Sequence, residues 1–98
     1  MKKILLVCNA GMSTSLLVTK MQEVANARKI ETEIWAVPSS EFKDNIDRAD
    51  VCLVGPQIRF MVSQFEKLTN KPVEAIDMSN YGRMDGAKVL DRALEILE

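Results

Sequence analysis

Ninety-eight residues, 47% of them hydrophobic and 28% charged, fit one compact domain spanning residues 1–98. A net charge of −1 supplies no basic field to gather nucleic acid or anionic lipid, and the longest apolar stretch, Ile4 to Cys8, falls far short of the roughly 20 residues a bilayer span needs. Histidine is absent, which excludes Ser-His-Asp and Cys-His nucleophile pairs, His metal sites and His proton shuttles.

The chain opens on a continuous aliphatic run, Ile4-Leu5-Leu6-Val7-Cys8, the pattern of a strand covered on both faces in a parallel sheet. Lys2 and Lys3 precede it, but the run is too short for a signal-peptide core. The expected compartment is therefore the cytoplasm, with Cys8 and Cys52 as thiols. Leu17, Met21, Val24 and Ala25 recur at helical spacing and predict a helix over about 15–28. Thr32, Ile34 and Ala36 alternate with Glu31, Glu33 and Trp35 in a second strand suited to a sheet edge, ended by Pro38-Ser39-Ser40. Residues 39–48 read as a short polar helix capped by Ser39 or Ser40, and Val51 to Val54 as a third strand closed by Gly55-Pro56. Ile58, Met61, Phe65 and Leu68 share one face of a helix predicted over 57–68, which Asn70-Lys71-Pro72 breaks. Val73 to Ile76 forms a fourth strand, 77–86 a loop rich in turn residues, and 85–97 a last helix with Leu90, Ala93, Leu94 and Leu97 on one stripe.

This βαβαβαβα alternation predicts an α/β fold, an open four-stranded parallel sheet of order 2-1-3-4 with helices on both faces. Winding reverses between strands 1 and 3, and ligands of such sheets bind there, beyond the strand C-termini. Cys8 stands at that place.

Asn9-Ala10-Gly11-Met12-Ser13-Thr14-Ser15 follows Cys8, so that backbone amides and the start of the helix converge above the sulfur as an anion cradle. Gly11 permits a tight turn, and Ser13, Thr14 or Ser15 can cap the helix and donate hydroxyls to a bound oxyanion. The positive helix end also favours a thiolate with no histidine or lysine beside it. A thiolate next to a phosphate-sized cradle points to phosphoryl transfer through a phosphocysteine. The bland alternative, a small buried residue finishing a strand, explains a lone cysteine but not the glycine and hydroxyls after it.

The stretch from Cys8 to Leu17 resembles the active-site loop of the enzyme IIB component of the lactose/cellobiose (chitobiose) family of bacterial phosphotransferase systems. Gly55-Pro56-Gln57-Ile58, Lys71-Pro72-Val73-Glu74, and Asp77 with Tyr81-Gly82-Arg83-Met84-Asp85-Gly86 extend the resemblance over essentially the whole chain. It implies a fold like that of low-molecular-weight tyrosine phosphatases and a cytoplasmic sugar phosphotransferase subunit, with no cofactor and no metal. In that family the cysteine matching Cys8 takes a phosphoryl group from a phosphohistidine on the IIA protein. It passes the group to a sugar, of the cellobiose, chitobiose or lactose type, imported by the membrane IIC component. The donor imidazole then belongs to the partner, which accommodates a chain without histidine.

A low-molecular-weight tyrosine phosphatase or arsenate reductase is the alternative, since their loop also follows strand 1 with cysteine, five residues, arginine and serine. Here Thr14 holds the arginine position and Ser15 the serine, and no Asp-Pro pair supplies a general acid. Losing the arginine removes a bidentate clamp on the transition state and favours a carrier over a hydrolase. A non-catalytic anion-binding module is the second alternative. Gln57 and Tyr81, on loops at the same sheet edge as Cys8, are possible lining residues. Met12 and Met61 are candidates for a partner-facing patch, Arg59 and Arg83 for phosphate or partner contacts, and Asp77, Asp85 and Glu23 for contacts with a basic partner. Cys52 reads as core.

Overall fold

The computed structural model describes residues 1–9 and 11–98, with residues 11–13 described in their backbone only. Four parallel strands, β1 (Lys2–Cys8), β2 (Thr32–Pro38), β3 (Val51–Val54) and β4 (Val73–Ala75), form one sheet of order β2-β1-β3-β4. This is the predicted topology, with the mixed-pattern strand β2 at one edge. Leu5 of β1 pairs with Trp35 on one side and Cys52 on the other.

Alternate side chains of β1 point to opposite faces. Ile4 and Leu6 pack with Leu17, Met21 and Ala25 of α1 (Gly11–Ala27) and with Val89, Leu90 and Ala93 of α5 (Gly86–Leu97). Leu5 and Val7 pack on the other face with Phe42, Ile46, Cys52 and Phe65. All four β1 residues from Ile4 to Val7 are fully buried, each stabilising the fold by about 2 kcal/mol.

α1 begins four residues earlier than the apolar spacing suggests, so Ser13, Thr14 and Ser15 lie inside its first turns and do not cap it. Thr14 is 1% exposed and continues the buried stripe of Leu17, Met21 and Ala25 one turn toward the N-terminus. Its hydroxyl makes it look like a cap, whereas its position makes it core. The helix ends where Lys29 takes φ 59°, with Ile30 N–H donating to the Ala25 carbonyl and Lys29 N–H to that of Asn26.

Residues 39–48 are three short pieces, a 3₁₀ turn at Ser39–Glu41, α2 at Phe42–Asn45 and a 3₁₀ turn at Ile46–Arg48. No serine caps them, because Pro38 occupies the position before the first turn. Nor is the segment polar throughout, since Phe42 is buried and stacks on Phe65 with ring centroids 4.1 Å apart. The helix predicted over 57–68 is likewise split into a 3₁₀ stretch at Pro56–Met61 and α3 at Val62–Glu66, with a non-helical backbone at Ile58. Ile58 and Phe65 are buried, whereas Leu68 lies past the helix end and is exposed.

The segment predicted as a loop contains a further turn of helix, α4 (Met78–Gly82). Asp77 caps it by accepting the Asn80 N–H at 3.0 Å, and Asp85 caps α5 by accepting the Lys88 N–H at 3.1 Å.

On the β4 edge, Arg92 of α5 donates two hydrogen bonds of 2.7 Å to the Glu74 carboxylate. The guanidinium holds this carboxyl below the usual carboxylate range. A lowered carboxyl stabilises the fold above its unfolded-state value and loses that contribution as pH falls through its folded value. Arg92→Ala should therefore lower the urea midpoint slightly at neutral pH, the pair being exposed, and the difference from wild type should vanish in acid. An equal loss at both pH values would assign the effect to the arginine stem and not to its charge.

Candidate active site

Cys8 is the last residue of β1 and is 3% exposed. Strand alternation puts its side chain on the face of Ile4 and Leu6, the side covered by α1 and α5, with Leu5, Val7 and Cys52 on the other. Cys8 and Cys52 are both free thiols. Burial pushes the Cys52 thiol up to about 12, so it stays protonated and inert near neutral pH.

Two side chains converge on the Cys8 sulfur from α1 and α4. The Thr14 hydroxyl donates to Sγ at 2.5 Å, and the Tyr81 hydroxyl lies 3.3 Å from Thr14 Oγ1. Thr14 reaches the sulfur because α1 starts at Gly11 and turns this residue inward. Tyr81, 7% exposed, is brought there by α4, whose first turn is held by the Asp77 cap and by the Tyr81 N–H bond to the Asp77 carbonyl.

Gly55 closes the opposite side. Its N–H bonds the Val7 carbonyl at 2.8 Å, and a Cβ built on it would stand 3.2 Å from both Cys8 Cβ and Gln57 Oε1. A side chain at position 55 would press on the cysteine, so the bare backbone there lets Cys8 and Gln57 approach.

Of the residues predicted for the site, Cys8, Thr14 and Tyr81 are therefore joined directly, and Gln57 adjoins them across Gly55. Asn9 is exposed just after β1, and Ser15 is exposed within α1. Gly11, Met12 and Ser13 belong to the first turn of α1, while the prediction for Ala10 and the side-chain roles of Met12 and Ser13 lie outside the described residues. Arg59 and Arg83 are exposed, and Met61 packs partly buried against the α2 and α3 side of the core. The direct bond from Thr14 to sulfur went unread in the sequence. Its position three residues before Leu17 on the buried stripe was the available signal.

A cavity of about 570 Å³ lies elsewhere, between β4 and α5, lined in part by Glu74, Asp77, Lys88 and Arg92, and Cys8 is not in its wall. Among the described residues no cluster of three or more metal-ligating side chains occurs, and no helix is long and apolar enough to cross a membrane.

A cysteine thus stands at the switch point of a parallel sheet, with the Thr14 hydroxyl donated onto its sulfur and a helix beginning three residues later. Comparison with known proteins agrees with the motif reading. Residues 3–92 match the family model described as the lactose/cellobiose-specific IIB subunit of the phosphotransferase system. The chain is 49% identical to the oligo-beta-mannoside-specific EIIB component of Bacillus subtilis (strain 168), over 99% of this chain and 97% of that protein. It is 38% identical to the galactose-specific EIIB component of Lactococcus lactis subsp. cremoris (strain MG1363), over 98% and 96%. The solution structure of the cellobiose-specific IIB component of Borrelia burgdorferi superposes with a TM-score of 0.81 at 40% identity, over 97% of this chain and 90% of that one. The motif segments, the sheet order and these similarities together establish that the chain belongs to the lactose/cellobiose-type IIB family of phosphotransferase-system sugar components.

Proposed function

We propose that Cys8 is the phosphoryl carrier of this IIB protein. In the first step the Cys8 thiolate attacks the phosphorus of a phosphohistidine on the IIA partner. An S–P bond forms, the N–P bond breaks, and the leaving ring nitrogen keeps the electron pair and takes up the proton that the thiol released on ionising, giving neutral imidazole. In the second step a sugar hydroxyl at the IIC permease attacks the same phosphorus. The P–O bond forms, the thiolate leaves with the S–P electrons, and the hydroxyl proton passes to water. The observation that carries this reading is the Thr14 hydroxyl donated to Sγ, which stabilises sulfur as nucleophile and as leaving group.

The amides of residues 9–15, at and before the first turn of α1, are the proposed cradle for the phosphoryl oxygens, since the first four N–H groups of a helix have no partner within it. The Ser15 hydroxyl and Gln57 are its proposed side-chain contributors, while the Thr14 hydroxyl serves the sulfur. The protein acts in the cytoplasm as a soluble partner of IIA and IIC. Its sugar is a β-linked disaccharide of the kind named for the cellobiose-specific relative, although the galactose-specific relative carries a monosaccharide name.

Incubation with phosphorylated IIA, followed by intact mass and site mapping, should reveal one phosphoryl group, on Cys8. Absence of the adduct, or its location on another residue, overturns the proposal. Appreciable hydrolysis of p-nitrophenyl phosphate by the isolated protein would instead support the phosphatase reading.

A further inference from the structure

We propose that Tyr81 is a positioning residue for Cys8, acting through Thr14. The inference rests on Cys8 as the phosphoryl acceptor, but its geometry stands apart from any partner. A threonine hydroxyl has one proton and two lone pairs. The Thr14 proton is committed to the Cys8 sulfur at 2.5 Å, so across the 3.3 Å contact Tyr81 is the donor and Thr14 Oγ1 the acceptor. The three groups form a one-way chain, phenol to threonine to sulfur.

Burial gives the chain its weight. Thr14 is 1% exposed and Tyr81 7% exposed, which leaves little room for water to replace the phenol, and successive hydrogen bonds in such surroundings polarise one another. Without Tyr81, a threonine inside a helix has a competing acceptor, the backbone carbonyl one turn back. The phenol occupies one lone pair of Thr14 and fixes the hydroxyl orientation in which its proton lies on the sulfur. The sulfur profits most from a donated proton when it is an anion, before the phosphoryl group arrives and after it leaves. Among the described residues named around the thiol, Pro38 paired with it on β2, Gly55 and Gln57 after β3, Thr14 on α1 and Tyr81 behind it, the titratable one is Tyr81.

The test is a pH titration of the full chain labelled with ¹³C at cysteine Cβ. Cys52, pushed up to about 12, stays constant through the neutral range and serves as internal reference. Tyr81→Phe should move the Cys8 midpoint up by about half a pH unit and Thr14→Val by about one, whereas Thr14→Ser, which keeps the hydroxyl, should restore the wild-type curve. Phosphorylation of Tyr81→Phe by phosphorylated IIA should slow about threefold or more, in step with the titration. A wild-type midpoint in folded Tyr81→Phe, or in Thr14→Val, overturns the relay. Shifted midpoints in a protein whose wild type accepts no phosphoryl group would leave the relay standing and overturn the carrier reading. Normal phosphorylation with unshifted midpoints would do the reverse.

Discussion

Cys8→Ser should fold and yet take up no phosphoryl group from phosphorylated IIA, and sugar phosphorylation in a system reconstituted with IIA and IIC should fall with it. The expected loss is roughly 10⁴-fold or more, the scale on which removing an enzyme nucleophile is felt. Serine nearly preserves the size of the residue and can still accept the Thr14 hydrogen bond, so the end of β1 should survive at a cost of about 1 kcal/mol. What serine cannot supply is an anion near neutral pH. A hydroxyl needs a general base to become a nucleophile, and this chain has no histidine to serve as one. Cys52 cannot substitute, since it faces the other side of the sheet and burial keeps it protonated. The measurements are far-UV circular dichroism for folding and mass-resolved phosphoryl uptake over time. A Cys8→Ser protein that still labels at half the wild-type rate would remove Cys8 from the mechanism.

The second large effect is expected far from the thiol. Gly86 opens α5 where that helix meets α1, and a Cβ built on it would lie 2.7 Å from the Lys20 carbonyl carbon and 2.8 Å from the Met21 nitrogen. Both atoms are backbone, so no rotamer change relieves the clash. The helices must move apart, loosening Leu17 and Met21 against Val89, Leu90 and Ala93. Overpacking of this kind costs about 1–3 kcal/mol, while alanine regains at most about 1 kcal/mol of helix propensity. The clash wins. Gly86→Ala should lower the melting temperature by roughly 5–15 °C, on the scale of about 4–8 °C per kcal/mol for a domain of this size. An unchanged melting curve would show that α5 can shift without cost.

The same contrast between local pattern and tertiary contact runs through the site. Cys8 was legible because a purely aliphatic run ends on it and a glycine and hydroxyl residues follow. Thr14 was legible as a loop hydroxyl for an oxyanion and as the residue standing where a phosphatase has arginine, but not as a donor to the sulfur. It stands between Cys8 and Tyr81 at 1% exposure, where its hydroxyl bonds the sulfur. Tyr81 was placed on a loop, because Ser79-Asn80-Tyr81-Gly82 is turn chemistry. The Asp77 cap and the burial of the tyrosine ring convert those residues into one turn of helix.

The broken helices after β2 and β3 were misread for a related reason. After β3 apolar spacing marks Ile58 and Phe65, which do reach the core, but also Leu68, which does not, while Phe42 and Ile46 are buried in a segment that reads as polar. Backbone regularity between them depends on how the turn after each strand launches the chain, which single-residue preferences do not encode.

The amino-acid sequence by itself determined the strands, their order and the family, and it singled out Cys8 as the proposed carrier, because strand periodicity, right-handed crossovers and motif spacing are properties of neighbours along the chain. Only the tertiary structure decided which hydroxyl serves the sulfur, that Tyr81 stands behind it, and that Gly86 must remain without a side chain. Those depend on atoms brought together from residues 6, 67 and 65–66 positions apart, and along the chain only the place of Thr14 one turn before Leu17 hints at one of them.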